Sequence, residues 1–368
     1  MSAFIPAAAH SRRLFLAGAG LGALSLTALA ACGSNDAATP SGAGSSAGKA
    51  SFGKAAVQLS WIKNIEFAGE YFATEKGYYT DAGFDSVELL AGGGNTGAEE
   101  VVISGQALVG LSSPSITGPS VMGGAPLKII GATYQKNPFC ILSLAEKTPI
   151  KTPADLKGKR MGVQSGGNQV IFEGFLKANG LTKDDVKLVT VQYDPTVLAG
   201  DTIDGFMAYI TNEPIIMKSA GYTPVVLGLA DNGLAFVAET FTVSDESIAT
   251  KRDALKAFLK AEIKGWTDAV KDPEQSAKYA VQKYGADQKL NLAEQTAEAK
   301  AQNSLILTAD VNANGLFTMT DKLVEENISA LSSMGTTVTA EQLFDLSLIK
   351  EVYQENPELK TAFTIPAA

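Results

Sequence analysis

Residues 60–84, SWIKNIEFAGEYFATEKGYYTDAGF, decide the fold. They follow a short apolar run, residues 55–59 (AAVQL), that reads as a first β-strand. Trp61-Ile62-Lys63-Asn64 reads as the turn at that strand's carboxyl end. Asn64 is suited to cap a helix, because its side-chain oxygen accepts a bond from an orphan N–H of the first turn. From Glu66 the pattern is helical: Phe67, Tyr71, Thr74 and Tyr78 recur at three- and four-residue steps. Gly77 or Gly83 is placed to end the helix. In an open α/β sheet, ligands bind outside the carboxyl ends of the strands, where Trp61, Lys63 and Asn64 lie. The Trp61 ring there either stacks on a flat ligand or packs the loop.

Toward the C-terminus, further strands end in polar clusters. Residues 86–90 read as a second strand, followed by Ala91-Gly92-Gly93-Gly94-Asn95, with Asn95 or Thr96 placed to cap a helix from Gly97. The glycines permit close backbone approach, and N–H groups at a helix start offer a polar or anionic contact; a plain flexible loop is the alternative. Residues 108–111 form a third strand, ending in Ser112-Ser113-Pro114-Ser115, which opens a helix over 116–122. Residues 127–134 are a fourth strand ending at Tyr134, and 139–144 a crossover strand. Thr152-Pro153-Ala154-Asp155 begins a second lobe: Thr152 caps, Pro153 takes the first helical position and Asp155 complements the helix dipole.

In that lobe, residues 161–164 form a strand ending at Gln164, and Ser165-Gly166-Gly167-Asn168 opens a helix to Ala178. Strand 186–192 leads to Tyr193, and strand 203–210 carries Tyr209. Thr211-Asn212-Glu213-Pro214 then starts a helix. Asn212 and Glu213 read either as a cap and a first-turn acid or as a donor and acceptor for a ligand. Glu213 only accepts when ionised, so it suits a ligand carrying N–H groups. Residues 224–229 form a strand that closes this lobe, and residues 235–243 form the strand that returns to the first. Beyond Ser244 the pattern predicts helices over 244–271, 273–284, 290–305, 320–332 and 340–353, with Lys/Glu alternation that reads as a solvated outer face.

Toward the N-terminus the chain reads as an address. Ser11-Arg12-Arg13-Leu14-Phe15-Leu16 resembles a twin-arginine export motif, and Leu29-Ala30-Ala31-Cys32 a bacterial lipobox. Export with lipidation at Cys32 is expected, which anchors a protein to the outer face of a membrane without spanning it. Residues 33–54 are rich in Ser, Gly and Ala, the composition of a flexible tether.

Composition narrows the function. The only histidine is His10, within the leader. The rest of the chain therefore lacks the imidazole of Ser-His-Asp and Cys-His catalysis and the commonest zinc ligand. No catalytic residue, metal site or cofactor is expected. Without Arg12 and Arg13, 28 basic residues face 39 acidic ones, a net charge of −11. That balance argues against nucleic acid, whose phosphates need a basic field. Cys140, in Pro138-Phe139-Cys140-Ile141-Leu142, reads as a small buried hydrophobe with no partner for a disulfide.

The order W-x-x-N-x-x-F-A-G-x-Y-x-A-x-E-K-G-Y-Y over residues 61–79, with D-A-G-F-D after it, resembles the opening of solute-binding proteins of the NMT1/THI5-like (SsuA/THI5-like) group. T-P-A-D-L-K-G-K-R-M-G-V (152–163) and D-G-F-M-A-Y-x-x-N-E-P (204–214) are similar to its entry into the second lobe and to its cleft-contact segment. The resemblance implies an α/β fold of the two-lobe type II periplasmic binding class. Lobe one would hold residues 55–137 and 235–368, and lobe two residues 138–234. It also implies a monomer that delivers a small ligand to an ABC permease and its ATPase. Members bind thiamine pyrimidine precursors, riboflavin, alkylsulfonates or nitrate. Thiamine-precursor binders and their enzyme relatives commonly carry His where this chain has Phe67, and the pyrimidine-synthesising enzymes need a His and a Cys-rich motif absent here.

A planar N-heterocycle is therefore expected first, an oxyanion second and an enzyme of pyrimidine synthesis third. The expected contacts are Trp61, Asn64, Phe67, Gly94, Asn95, Ser113, Ser115, Tyr134, Gln164, Ser165, Gly166, Asn168, Tyr193, Tyr209, Asn212 and Glu213.

Overall fold

The computed structural model describes residues 51–93 and 96–364. The export motif, the lipobox with Cys32, most of the tether, and Gly94 and Asn95 lie outside the described residues.

Strand β1 (Gly53–Gln58) pairs in parallel with β2 (Phe84–Leu90). Asn64 caps a short 3-10 turn by accepting from the Glu66 N–H, and α1 (Ala68–Glu75) follows. The expected single helix is two, because Gly77 takes φ 72° before α2 (Tyr78–Ala82). Next come α3 (Ala98–Ile103), β3 (Val109–Ser112), α4 (Pro114–Met122) and β4 (Leu127–Tyr134). Gly97, not Asn95 or Thr96, holds the N-cap position of α3.

Strand β5 (Phe139–Leu144) enters the second sheet, with β6 (Arg160–Val163), α5 (Gly167–Ala178), β7 (Lys187–Thr190), β8 (Gly205–Tyr209), α6 (Glu213–Ser219) and β9 (Pro224–Gly228). Strand β10 (Ala238–Ser244) returns to the first.

The sheet orders are β2-β1-β3-β10-β4 and β7-β6-β8-β5-β9. They are the same design. In each, three parallel strands are followed by an antiparallel strand that has crossed from the other sheet, and then by an edge strand that again runs in the direction of the first three. The two crossings are tied together: Asn137 Nδ2 donates to the Leu234 carbonyl at 2.8 Å, and its Oδ1 accepts from the Phe139 N–H at 2.9 Å.

The helical C-terminal part is more broken than its periodicity predicts. Lys251 leaves helical geometry, so 244–271 divides into α7 (Asp245–Thr250) and α8 (Arg252–Ala269). Helix α9 (Pro273–Tyr279) runs into a π-helical turn, Ala280–Tyr284, before α10 (Leu292–Ile306). A short α11 (Ala309–Asn314) precedes α12 (Asp321–Met334). The last expected helix splits into α13 (Ala340–Leu343) and α14 (Ser347–Glu355), because Phe344 is extended and bridges to Ile129 of β4. Nor is this part only a solvated outer face. Glu262 of α8 and Glu298 of α10 are buried.

The first-sheet core gathers Tyr71, Phe241, Phe258 and Trp266, and the second Phe172, Phe175 and Met207. Cys140 is buried with Leu142 and Phe206, and burial pushes its thiol up. Helix α12 reaches across the molecule, placing Ala330 and Met334 against the second-sheet core. Among the described residues no helix is long and apolar enough to cross a membrane.

Candidate functional site

The loops at the carboxyl ends of β1, β2 and β3 meet those of β6 and β8 around a cavity of about 120 Å³. The lobe-one wall starts where β1 ends, with Leu59, Ser60 and Trp61. Gln58 Nε2 holds this end to β2 through the Ala91 carbonyl at 3.0 Å. Gly92 is required by close approach: its N–H donates to the Trp61 carbonyl at 2.8 Å, and a β-carbon there would overlap the Leu59 carbonyl oxygen. At the end of β3, Ser112 Oγ and Thr117 Oγ1 both donate to Glu99 Oε1, at 2.6 and 2.7 Å.

The lobe-two wall comprises Ser165, Gly167, Asn168, Met207, Ala208, Tyr209 and Glu213, with Phe139. Tyr209 packs edge-on against Phe139 with ring centroids 4.6 Å apart, and its N–H donates to Glu213 Oε2 at 2.8 Å. Several contacts join the lobes over the cavity. The Tyr193 hydroxyl donates to the Gly93 carbonyl at 2.7 Å, and its ring meets Trp61 edge-on at 4.9 Å. The Tyr209 hydroxyl donates to Glu239 Oε1 at 3.2 Å. This is a closed cleft.

Its electrostatics are one-sided. Glu66, Glu99, Glu213 and Glu239 line the cavity, and among the described residues no Lys, Arg or His does. Burial pushes the Glu213 carboxyl up to about 7, against the stabilising Tyr209 N–H. Burial likewise raises Glu239 to about 7, opposed by the hydroxyls of Ser60 and Tyr209. Glu66 is raised by burial and then by the Glu239 charge. Two buried carboxylates close together resist ionising at once, so a proton or a cation must enter with the negative charge. The arrangement accepts N–H donors and repels anions.

Of the expected contacts, Trp61, Ser113, Ser165, Asn168, Tyr209 and Glu213 line the cavity, and Tyr193 closes over Trp61. Others act behind it. Asn64 donates to Glu66 Oε1 at 2.9 Å, and Gln164 Oε1 accepts from Asn168 at 2.9 Å. Ser115 pairs with Ser113 at 2.7 Å. Gly166, at φ 84°, turns the chain into α5, and Asn212 occupies the N-cap position of α6 without a side-chain capping bond.

Phe67 and Tyr134 do not form walls. Both are fully buried in the lobe-one core, with the Tyr134 hydroxyl on Gln302 Oε1 at 3.0 Å. Phe67 heads the buried helical stripe that continues to Tyr71, and Tyr134 ends a strand buried on both faces. Sequence reasoning missed Glu66, Glu99 and Glu239. The available signal is Glu239 itself, the lone charged residue in the return strand, residues 235–243.

The sequence model described as "NMT1/THI5 like" matches residues 64–276, more than half of the chain. The chain is 25% identical over 276 residues to the riboflavin-binding protein RibY of Chloroflexus aurantiacus, covering 71% of this chain and 76% of that one. It is 24% identical over 226 residues to the formylaminopyrimidine-binding protein of Halalkalibacterium halodurans, covering 60% and 67%. Among solved structures, the alkanesulfonate-binding protein SsuA from Xanthomonas axonopodis pv. citri, bound to MOPS, superposes with a TM-score of 0.60 at 14% identity, over 79% of this chain and 96% of that one. That likeness gives the fold, the two-lobe architecture of periplasmic binding proteins. With the closed inter-lobe cavity and the family match over both lobes, the chain belongs to the NMT1/THI5-like family.

Proposed function

We propose that this chain is an extracytoplasmic solute-binding lipoprotein that captures a small planar N-heterocycle, of the aminopyrimidine or flavin class, in the cleft between its lobes. The observation that carries this is the cavity itself: aromatic rings from both lobes, Trp61 and Tyr209, beside Glu66, Glu213 and Glu239, with no basic side chain among the described residues that line it. The rings supply flat apolar surface. The carboxyls accept from ring and exocyclic N–H groups. The relatives named for riboflavin and for a formylaminopyrimidine support this ligand class.

In this reading the lobes part to admit the ligand and close through the Tyr193 and Tyr209 contacts. Cys32 anchors the protein to the outer face of the membrane, and the ligand passes to an ABC permease driven by its ATPase. The protein binds and releases; it does not turn its ligand over. The alternative, a sulfonate or nitrate held at the helix starts after Gly92 and Ser165, is disfavoured by the lining carboxyls, which repel an oxyanion.

The test is native purification followed by absorbance and mass analysis of released ligand. Thermal-shift titrations with riboflavin, 4-amino-5-hydroxymethyl-2-methylpyrimidine and an alkylsulfonate accompany it. A bound chromophore or a shift with one heterocycle is expected. A shift with the sulfonate alone would overturn the reading.

A further inference from the structure

Glu239 is the residue of the cleft with the least ordinary backbone. It lies in β10, the strand that crosses back from lobe two, at φ 48°, a region that non-glycine residues seldom enter. Beside it the pairing of β10 with β4 shifts register between Thr240 and Thr242. Such strain persists where surrounding contacts over-determine it, and it concentrates at ligand clamps. Here the contacts come from both lobes. Glu239 Oε2 accepts from Ser60 Oγ at 2.7 Å, and Oε1 from the Tyr209 hydroxyl. The side chain thus stands at the seam of the cleft, 2% exposed, on the cavity wall.

A second observation points into the same space. Glu66 is 3% exposed and lines the cavity. Asn64 donates to its Oε1, while its Oε2 has no donor among the described residues. Two buried carboxyls therefore face one cavity between aromatic rings, with an acceptor left open. Aromatic faces with carboxylates recognise organic cations, since both present negative potential.

We propose that Glu239 makes the cleft selective for a positively charged heteroaromatic, its carboxylate pairing with the ring cation between Trp61 and Tyr209. The proposal rests on the binding reading above and narrows it, from N-heterocycles in general to those that carry or accept a proton. Besides the Ser60 hydroxyl, the titratable groups around Glu239 are acids and phenols: Glu66 after β1, Tyr134 of β4 and Tyr209 of β8, with Glu213 of α6 on the same cavity wall and Glu70 of α1 and Glu298 of α10 farther behind. A cation entering this group allows carboxyls to ionise that otherwise hold protons, so binding releases protons to solvent.

The experiment is isothermal titration of the full chain and its variants with three probes of one shape. They are 4-amino-5-hydroxymethyl-2-methylpyrimidine, its N1-methylated pyrimidinium, and the neutral 4-oxo analogue. At pH 6 to 7 the pyrimidinium should bind about tenfold or more tightly than the 4-oxo analogue. Titrations in buffers of different ionisation enthalpy should show proton release for the pyrimidinium alone. Glu239→Gln, which keeps size and one of the two acceptors, should erase the preference and reduce proton release, while Glu239→Asp keeps part of both. Equal affinity for charged and neutral probes, or a preference that survives Glu239→Gln, would overturn the proposal while leaving the binding reading intact. A chain that binds none of the three, nor riboflavin, overturns both.

Discussion

Glu66 and Glu70 stand four residues apart on one segment, both buried, both with carboxyls raised by burial, yet they belong to different worlds. Glu66 borders the cavity and shares its space with Glu213 and Glu239. Glu70 faces α8, where Glu262 is the strongest neighbouring charge; the Trp266 indole N–H lies beside its carboxyl, but among the described residues no well-formed hydrogen bond reaches either oxygen. Around it the helices are in close contact: a β-carbon on Gly69 would overlap the Trp266 ring, and one on Gly265 the Gly69 carbonyl. Glu262 accepts from the Tyr79 hydroxyl and is pushed up to about 8 by burial. The comparison teaches that a buried acid alone does not make a site. What distinguishes Glu66 is an opening through which a ligand can offset the charge; at Glu70 and Glu262 only a proton can do so.

The comparison breaks most severely at the dry interface. Gly265→Val forces α1 and α8 apart and should destabilise the fold by about 3 kcal/mol or more, read as a lowered urea midpoint, with ligand binding lost only in step with the fold. An unchanged midpoint would mean the helices are not in contact.

In the cleft, Trp61→Ala should cost about 1–3 kcal/mol of ligand affinity, roughly 5- to 150-fold, through lost stacking. The melting temperature of the ligand-free chain should move little, since Trp61 is only partly buried. Unchanged affinity would remove the stacking model.

The acids separate by pH. Glu262 has its folded pKa raised above the ordinary carboxyl value, so the folded state holds a proton that the unfolded chain releases. Its contribution is complete below about pH 4.5 and declines as pH rises toward about 8. Glu262→Gln removes that decline. The variant should gain roughly 1–2 kcal/mol over the parent at pH 8, with the advantage gone by pH 4.5. Parallel stability curves across that window would show that Glu262 is not protonated in the fold.

The smallest effect belongs to the lid. Tyr193→Phe removes one hydroxyl bond to the Gly93 carbonyl across the cleft. It should speed ligand release by about 2- to 10-fold, the worth of a single hydrogen bond, with no change in unfolding midpoint.

Much of the fold was legible because strands and turns are local. The apolar runs 127–134 and 139–144 coincide with β4 and β5, and the polar clusters after the strands hold Trp61, Ser113, Ser165, Asn168, Tyr209 and Glu213, which line the cavity. The misses share a cause. Phe67 and Tyr134 have the aromatic character and placement of ligand walls in sequence, but their side chains lie in the core. Glu66, at a helical start, carries no local mark of burial, and the lone acid of the return strand, Glu239, is marked in sequence only by its position and not by what it faces. The helix breaks at Lys251 and Phe344 were hidden in continuous polar and apolar patterns.

By itself the sequence determined the alternation of strands and helices, the polar composition of the loops and the histidine-free chemistry, since hydrophobic period and turn residues act over a few neighbours. Only the tertiary structure decided that carboxyls from residues 66, 213 and 239 face one cavity, while those of residues 70 and 262 face each other in the dark. That depends on which faces of distant segments meet, and on the low dielectric that their meeting creates.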